Sequence, residues 1–185
     1  YRATKRGNFR EKSSMARLSG PSLHRLGWGT GMGDADLDGD LDLFVLNGHV
    51  YPQADSPGTD TSYAQPDLLF LGGEKQRFSV GKLYDGPDVC SRAGAFADLD
   101  GDGDLDLVVA AQLDATGNIL YRNNWDLTFS EVIDPGLATF ATIYGFAPRI
   151  LDMDEDGLPD LVFIGDRSSS CYYKNNGDGT FTDLT

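Results

Sequence analysis

Three acidic segments of nine residues recur along the chain with the same internal spacing. They are 34–42 (DADLDGDLD), 98–106 (DLDGDGDLD) and 152–160 (DMDEDGLPD), and together they hold 15 of the 29 acidic residues. In each segment aspartate occupies the first, third, fifth and ninth positions and glycine the sixth. Carboxylates at this density repel one another and too few basic residues lie nearby to neutralise them, so a bound cation is the natural compensation.

The spacing favours Ca²⁺ as that cation. Alternate side chains of such a loop point inward, the glycine permits a sharp turn, and the seventh position is free to offer its backbone carbonyl. Hard oxygen ligands without His or Cys argue against a transition metal, and Mg²⁺ prefers fewer carboxylates and more water. The sequence therefore predicts about three Ca²⁺ sites, one in each loop.

Two other interpretations of these loops are a solvated acidic turn and an EF-hand. Three copies in register disfavour the first interpretation. An EF-hand carries a glutamate at position twelve and lies between helices, whereas position twelve here is Val45, Val109 and Phe163. Each loop instead runs into a β-rich segment, with bounds Leu41–Leu46, Leu105–Val109 and Leu158–Ile164.

The loops belong to a longer repeat. Their first aspartates are 64 and 54 residues apart, and aromatic residues spaced by eight mark a hairpin in each repeat: Tyr1/Phe9, Phe70/Phe78, Tyr121/Phe129 and Tyr173/Phe181. A strand of small residues precedes each loop, over Trp28–Gly33, Ala93–Ala97 and Tyr144–Leu151. We expect an all-β fold made of four-stranded antiparallel blades of a β-propeller, a partial propeller of about three and a half blades.

The repeat divides the chain into four segments. We expect 1–18 to be the outer hairpin of a preceding blade, followed by blades at 19–88, 89–137 and 138–185. The first full blade contains a polar, Pro- and Gly-rich insertion at 48–66, the best candidate for a recognition surface. Because an open arc exposes sheet edges, further blades from the same chain or from a partner chain are expected.

Composition excludes several partners. The formal net charge of −14 repels a nucleic-acid backbone. The longest apolar runs are four or five residues, too short to insert into a membrane. Cys90 and Cys171 lack the spacing of a zinc site, and whether they form a disulfide is left open.

The loop and hairpin motifs resemble a known family. The D-x-D-x-D-G-x-x-D loops and the Y-x-N-N-G-D-G-T-F hairpin at Tyr173–Phe181 resemble FG-GAP/VCBS repeats, which build propellers in integrin α-subunits and bacterial surface proteins. The segment Gly27–Pro52 is similar to the ASPIC/UnbV group. The resemblance implies an extracellular, cell-surface or periplasmic Ca²⁺-binding propeller that serves in cell adhesion or protein interaction.

The resemblance also implies the ligands. Carried over by position, they are Asp34, Asp36, Asp38, Asp40 and Asp42; Asp98, Asp100, Asp102, Asp104 and Asp106; and Asp152, Asp154, Asp156, Leu158 and Asp160. The seventh-position residues among them, Asp40, Asp104 and Leu158, would act through their carbonyls.

Other functions are weaker predictions. The sequence lacks a nucleophile elbow, a phosphate-binding glycine loop and an HExxH motif, so we expect no enzyme activity. The partner is expected to be a protein or a glycan. The alternative to a protein scaffold is a carbohydrate-binding propeller, either a lectin or the propeller of a Ca²⁺-dependent polysaccharide lyase, with sugars stacking on exposed aromatic side chains. Of the candidates Trp28, Tyr51, Tyr63 and Trp125, the two tryptophans are expected in the core.

Overall fold

β-Strands dominate the structure. A computed structural model of the chain describes residues 1–5, 7–112, 118–126, 128–133, 136, 145–165 and 169–185. Within these residues, the only helices are a four-residue α-helix at Ser19–Ser22 and 3₁₀ turns at Pro52–Asp55 and Glu74–Gln76. This confirms the all-β prediction. No helix in the described ranges is long and apolar enough to cross a membrane.

The strands of the described residues form four antiparallel sheets. A two-stranded sheet pairs Arg2–Ala3 (β1) with Phe9–Arg10 (β2). Sheet 1 contains Gly27–Gly33 (β3), Asp42–Asn47 (β4), Leu68–Leu71 (β5) and Ser79–Gly81 (β6). Sheet 2 contains Ser91–Ala97 (β7), Asp106–Ala111 (β8), Ile119–Asn123 (β9) and Phe129–Glu131 (β10). Sheet 3 contains Gly145–Leu151 (β11), Asp160–Gly165 (β12), Cys171–Asn175 (β13) and Phe181–Asp183 (β14).

Each four-stranded sheet is a simple meander in which sequential strands are neighbours. The predicted small-residue strand, acidic loop, apolar strand and aromatic hairpin follow one another in this order. The four-stranded units are therefore confirmed, whereas closure into a ring and the exact repeat boundaries remain predictions. Tyr144 and the predicted boundary between residues 137 and 138 lie outside the described residues.

The cores lie between neighbouring sheets. Strand β8 is buried on both faces, because Leu107 and Val109 pack toward sheet 1 while Val108 and Ala110 pack toward sheet 3. This burial explains why its sequence is continuously apolar and not alternating. One cluster joins sheets 1 and 2, a second joins sheets 2 and 3, and the acidic loops lie at one end of this stack.

A β-bulge interrupts the start of the first strand in every four-stranded sheet, between Gly27 and Gly29, Ser91 and Ala93, and Gly145 and Ala147. A bulge re-aims the extra side chain. In sheet 1 the extra residue is Trp28, which is 46% exposed, so the expectation that it belongs to the core is wrong. The guanidinium of Arg92, the bulge residue of sheet 2, lies 4.9 Å from the centre of the Trp28 ring.

The insertion at 48–66 has a small core of its own. Tyr63 and Ala54 pack on Cys90, and Tyr63 is only 8% exposed. An isolated bridge pairs Gly48 with Ala64, and a second pairs Gln65 with Val89. The insertion is thereby tied to the start of sheet 2. Cys90 and Cys171 are both buried and both free thiols.

Candidate metal centre

Each acidic loop connects the first strand of a sheet to the second. The backbone is left-handed at the sixth-position glycine, with φ of +92° at Gly39, +100° at Gly103 and +90° at Gly157. These φ values give the physical reason for glycine there, since other residues adopt this region at a cost. The fourth position is left-handed too, at Leu37, Gly101 and Glu155. This second turn was not predictable from the sequence, because only one of its three residues is glycine.

The first aspartate of each loop holds this turn in place. Its Oδ2 accepts a hydrogen bond from the N–H of the sixth-position glycine, over 3.0 Å for Asp34, 3.1 Å for Asp98 and 2.9 Å for Asp152. In the second and third loops the other oxygen also accepts an N–H from the loop, that of Gly101 at Asp98 and that of Asp156 at Asp152. In the first loop that atom, Oδ1 of Asp34, is buried and has no hydrogen-bond partner among the described residues.

The ninth aspartate of each loop is a buried junction. Its two oxygens accept N–H groups from two different parts of the sheet, the second loop position and the end of the third strand. The donors are Ala35 and Gly72 for Asp42, Leu99 and Asn123 for Asp106, and Met153 and Asn175 for Asp160. These three carboxylates are at most 2% exposed. These hydrogen bonds hold the loop against the hairpin, and they need no bound ion.

Three carboxylates converge in each loop. One oxygen from every member lies within 4.8 Å of the others in the sets Asp34/Asp36/Asp42, Asp98/Asp100/Asp102 and Asp152/Asp154/Asp160. The remaining predicted side-chain ligands, Asp38, Asp106 and Asp156, lie outside these sets. Carboxylate oxygens at this spacing are suited to a hard divalent cation such as Ca²⁺. The carbonyl ligands at the seventh positions remain a prediction.

Two of the three loops carry a basic side chain that the sequence prediction did not include. Arg122 Nε lies 2.7 Å from Oδ2 of Asp100, and Lys174 Nζ pairs with both Asp154 and Asp156. Both basic residues lie on the third strand of their sheet. Neither was found in the sequence because the strand register that brings them to the loop is a tertiary feature.

The pKa values of the second loop reflect the burial of its carboxylates and the repulsion between them. Burial raises the pKa of Asp106 to about 7 and that of Asp104 to about 6, and repulsion from Asp102 contributes to the second increase. Asp102 has a lowered pKa, chiefly because it accepts the N–H of Asp104. Within the described residues, neither carboxylate oxygen of Asp104 has a hydrogen-bond partner, although the residue is only 1% exposed. Such a group is stabilised when a cation neutralises its surroundings.

Trp125 stands over the same loop. Its indole N–H donates to Oδ2 of Asp102 over 3.1 Å, its φ is +66°, and 60% of its surface is exposed. The expectation that Trp125 is a core residue is therefore wrong, because the left-handed turn after β9 directs the ring toward the loop. In the third loop the Tyr172 hydroxyl donates to Oδ2 of Asp160 over 2.9 Å.

Asparagine side chains connect the loops of successive sheets. Nδ2 of Asn123 in sheet 2 donates to the carbonyl of Ala35 in the first loop over 3.0 Å. Nδ2 of Asn175 in sheet 3 donates in the same way to Leu99 in the second loop over 2.9 Å. Both asparagines are 1% exposed. The sequence analysis predicts these asparagines only as hairpin residues. The signal that could have identified their role is that asparagine recurs at the same place in two repeats.

The sequence analysis also missed a partly buried carboxylate outside the loops. Asp67 accepts hydrogen bonds from the Asn47 N–H, the Tyr84 hydroxyl and the Ser91 hydroxyl. It thus joins sheet 1 to the first strand of sheet 2. Burial raises the pKa of Asp67 to about 6. No acidic repeat surrounds it, so spacing could not identify it.

Exposed aromatic and apolar side chains lie beside the insertion. Trp28 donates its indole N–H to the carbonyl of Gly48, and Tyr51, which is 66% exposed, follows Val50 at the start of the insertion. His49 Nδ1 accepts the N–H of Tyr51. Tyr63, in contrast, is buried, so it is unavailable for stacking on a sugar.

Comparison with known proteins identifies part of this array. Residues 98–163, from the start of the second loop into β12, match the family model FG-GAP_3, the FG-GAP-like repeat. The match supports an FG-GAP-type repeat protein. The ASPIC/UnbV assignment remains a prediction. No curated protein matches the chain.

Proposed function

We propose that this chain is a Ca²⁺-binding segment of a β-propeller that serves as an extracellular adhesion or protein-interaction scaffold. The observation that carries the proposal is the convergence of three carboxylates in each of three loops with the same fold. The unpartnered, buried Oδ1 of Asp34 supports the fit, since a cation would satisfy it. The FG-GAP-like match supports the propeller and the interaction role.

The role proposed for the ion is structural. Each loop connects the first two strands of its sheet, and its ninth aspartate also holds the hairpin, so an ordered loop fixes the loop end of the sheet. Backbone N–H groups already occupy many of the carboxylates, which argues against general acid or base catalysis by these groups. We therefore propose no enzyme activity for this segment.

The energetic contribution of such an ion is modest but measurable. Extracellular calcium modules have dissociation constants of roughly 10⁻⁴ to 10⁻³ M. At about 1 mM Ca²⁺, one site at the tight end of this range stabilises the fold by about 1.4 kcal/mol. For a chain of this size, that corresponds to an increase in Tm of about 3 to 6 °C.

The proposed partner surface is the insertion 48–66 together with Trp28. Val50 and Tyr51 are exposed there beside the bulge, whereas the core of the insertion fixes its conformation. A rigid loop with exposed aromatic side chains is typical of a protein interface. We place the protein outside the cell, on its surface or in the periplasm, where free Ca²⁺ is abundant enough for sites of this class.

Exposed Trp28 and Tyr51 also favour a second candidate, carbohydrate binding, because aromatic faces stack on sugars. A glycan array with and without Ca²⁺ separates the two candidates. Strong binding of a defined glycan that is lost in Tyr51→Ala would replace the protein-scaffold proposal.

Calcium titration tests the proposed function. We expect isothermal titration calorimetry to detect Ca²⁺ binding and thermal unfolding in 1 mM Ca²⁺ to occur above the midpoint in EGTA. Asp36→Asn, which removes one charge from the first converging set, should reduce both effects. Asp60→Asn is the matched control, because Asp60 is exposed in the insertion and lies outside the loops. Absence of calcium uptake by the wild-type protein, or an identical loss in both variants, would refute the proposal.

A further inference from the structure

The three loops are not equivalent. Resting on the calcium-binding function proposed above, we infer that the first loop takes the divalent ion preferentially, because the second and third loops already hold a protein cation. The repeated aspartate pattern is the same in the three loops, so residues outside that pattern set which loop is filled first.

Strand register identifies the residues responsible. Leu43, Leu107 and Leu161, each one residue after the ninth aspartate of its loop, pair with Phe70, Tyr121 and Tyr173, respectively. The next residue on each third strand is therefore structurally equivalent in the three sheets. These residues are Leu71, Arg122 and Lys174.

The basic residues at this position contact the loop carboxylates. Arg122 pairs with the third-position Asp100, and Lys174 pairs with the third-position Asp154 and the fifth-position Asp156. Asp100 and Asp154 both belong to the converging sets. A divalent ion that uses these oxygens must displace or share them with a cation already in place, which weakens its binding.

Leu71 leaves the first loop without such a cation. No Lys or Arg of the described residues forms an ion pair with its five aspartates. Buried carboxylate oxygens without a partner among the described residues occur in the first loop at Asp34 and in the second at Asp104, so only the missing basic side chain distinguishes the first loop. The first loop therefore has the most to gain from an ion.

The two protein cations differ in how firmly they are held. Arg122 lies against Gly179 in the hairpin of sheet 3, where a β-carbon would collide with the guanidinium. The neighbouring sheet thus restricts its movement away from Asp100. Exposure does not separate the two side chains, since 42% of Arg122 and 31% of Lys174 are exposed, so the difference rests on the contact of Arg122 with Gly179. Removal of Lys174 should therefore release a site at less structural cost than removal of Arg122.

Charge-removal variants test the inference. We propose Ca²⁺ titration calorimetry on the wild-type chain, Lys174→Met and Lys82→Met. The control makes the same change in net charge at an exposed lysine that pairs with Asp85 outside the loops. The wild type should show one tighter ion per chain, and Lys174→Met should bind a second ion about tenfold tighter than the wild type does. Lys82→Met should match the wild type.

A second variant makes the opposite change, adding a basic residue beside the first loop, so that the test does not depend on Lys174→Met alone. Leu71→Arg, which keeps an aliphatic stem against the core, should weaken the tightest wild-type site several-fold, with no comparable change in Lys82→Met. Three equal sites in the wild type, or a Lys174→Met isotherm that matches Lys82→Met, would overturn the inference and leave the proposed calcium function intact. No uptake by any of these proteins would refute the proposed function itself.

Discussion

Asn175 should contribute more to stability than its counterpart Asn123, although the two occupy equivalent places. Nδ2 of Asn175 donates to Leu99 over 2.9 Å and to Pro159 over 3.0 Å, and its Oδ1 accepts the Gly177 N–H over 2.8 Å. At about 1 kcal/mol for each hydrogen bond, Asn175→Ala should cost roughly 3 kcal/mol. A loss of this size lowers Tm by about 6 to 12 °C in a chain of this length.

Asn123 makes weaker contacts. Nδ2 donates to Ala35 over 3.0 Å and to Leu105 over 3.3 Å, while its buried Oδ1 has no partner among the described residues. Truncation of this side chain removes an unsatisfied carbonyl as well as the two hydrogen bonds. The cost of Asn123→Ala should therefore be only about 1 kcal/mol.

Urea denaturation in EGTA, followed by circular dichroism, measures both free energies of unfolding without a contribution from bound metal. Asn176→Ala is the control, because this neighbouring side chain is exposed and bonds only locally to Thr180 and Thr182. It should cost less than Asn175→Ala. Equal losses in Asn123→Ala and Asn175→Ala would refute the predicted difference. Two losses no larger than that of the control would show that the side-chain hydrogen bonds between loops do not hold the sheets together.

Two further predictions concern pH and backbone strain. Because the pKa of Asp67 is raised in the folded state to about 6, the folded protein binds its proton more tightly, so stability should fall as pH rises from about 4 to 7. Asp67 should account for roughly 2 to 3 kcal/mol of that fall, and melts of Asp67→Asn in EGTA should show a shallower decline, whereas an unchanged slope would contradict the assignment. Leu37 has a φ of +58°, so Leu37→Gly should raise the free energy of unfolding by about 0.5 to 1 kcal/mol. Leu41 is comparably exposed and is not left-handed, so Leu41→Gly should lower the free energy of unfolding, and a loss at both positions would argue against strain at Leu37.

Much of the fold could be predicted from local patterns. The small-residue strand, the acidic loop and the aromatic hairpin each have a signal within about ten residues, and the meander connects them in order. Strand β8 was predicted as a strand although it does not alternate, because its β-branched run follows a recognisable loop. The orientation of single side chains could not be predicted in this way. A bulge exposes Trp28, and a left-handed residue turns Trp125 onto the second loop.

Only the part of the site that lies within the nine-residue acidic pattern could be predicted from the sequence. The nine-residue pattern identified the loops and the turn at the sixth glycine. It did not separate aspartates that converge from those that mainly accept backbone N–H groups, such as Asp106. The spacing did not identify Arg122 and Lys174, because their contact with the carboxylates depends on how a separate strand pairs with the strand after the loop. Such contacts require the register between strands, which a single sequence does not specify.

Gly29 of β3 allows sheets 1 and 2 to approach closely at one edge. A β-carbon at Gly29 would fall 2.7 Å from the Cα of Ala93 on β7, so the first strands of sheets 1 and 2 pack backbone to backbone. Farther out, the same two sheets are separated by large rings, including Tyr84 stacked on Tyr121 at 4.4 Å. The distance between the two sheets is therefore short at the edge formed by β3 and β7 and longer at the opposite edge. The difference in side-chain volume between the two edges sets the angle between the sheets. A bulkier residue at Gly29 would reduce that angle.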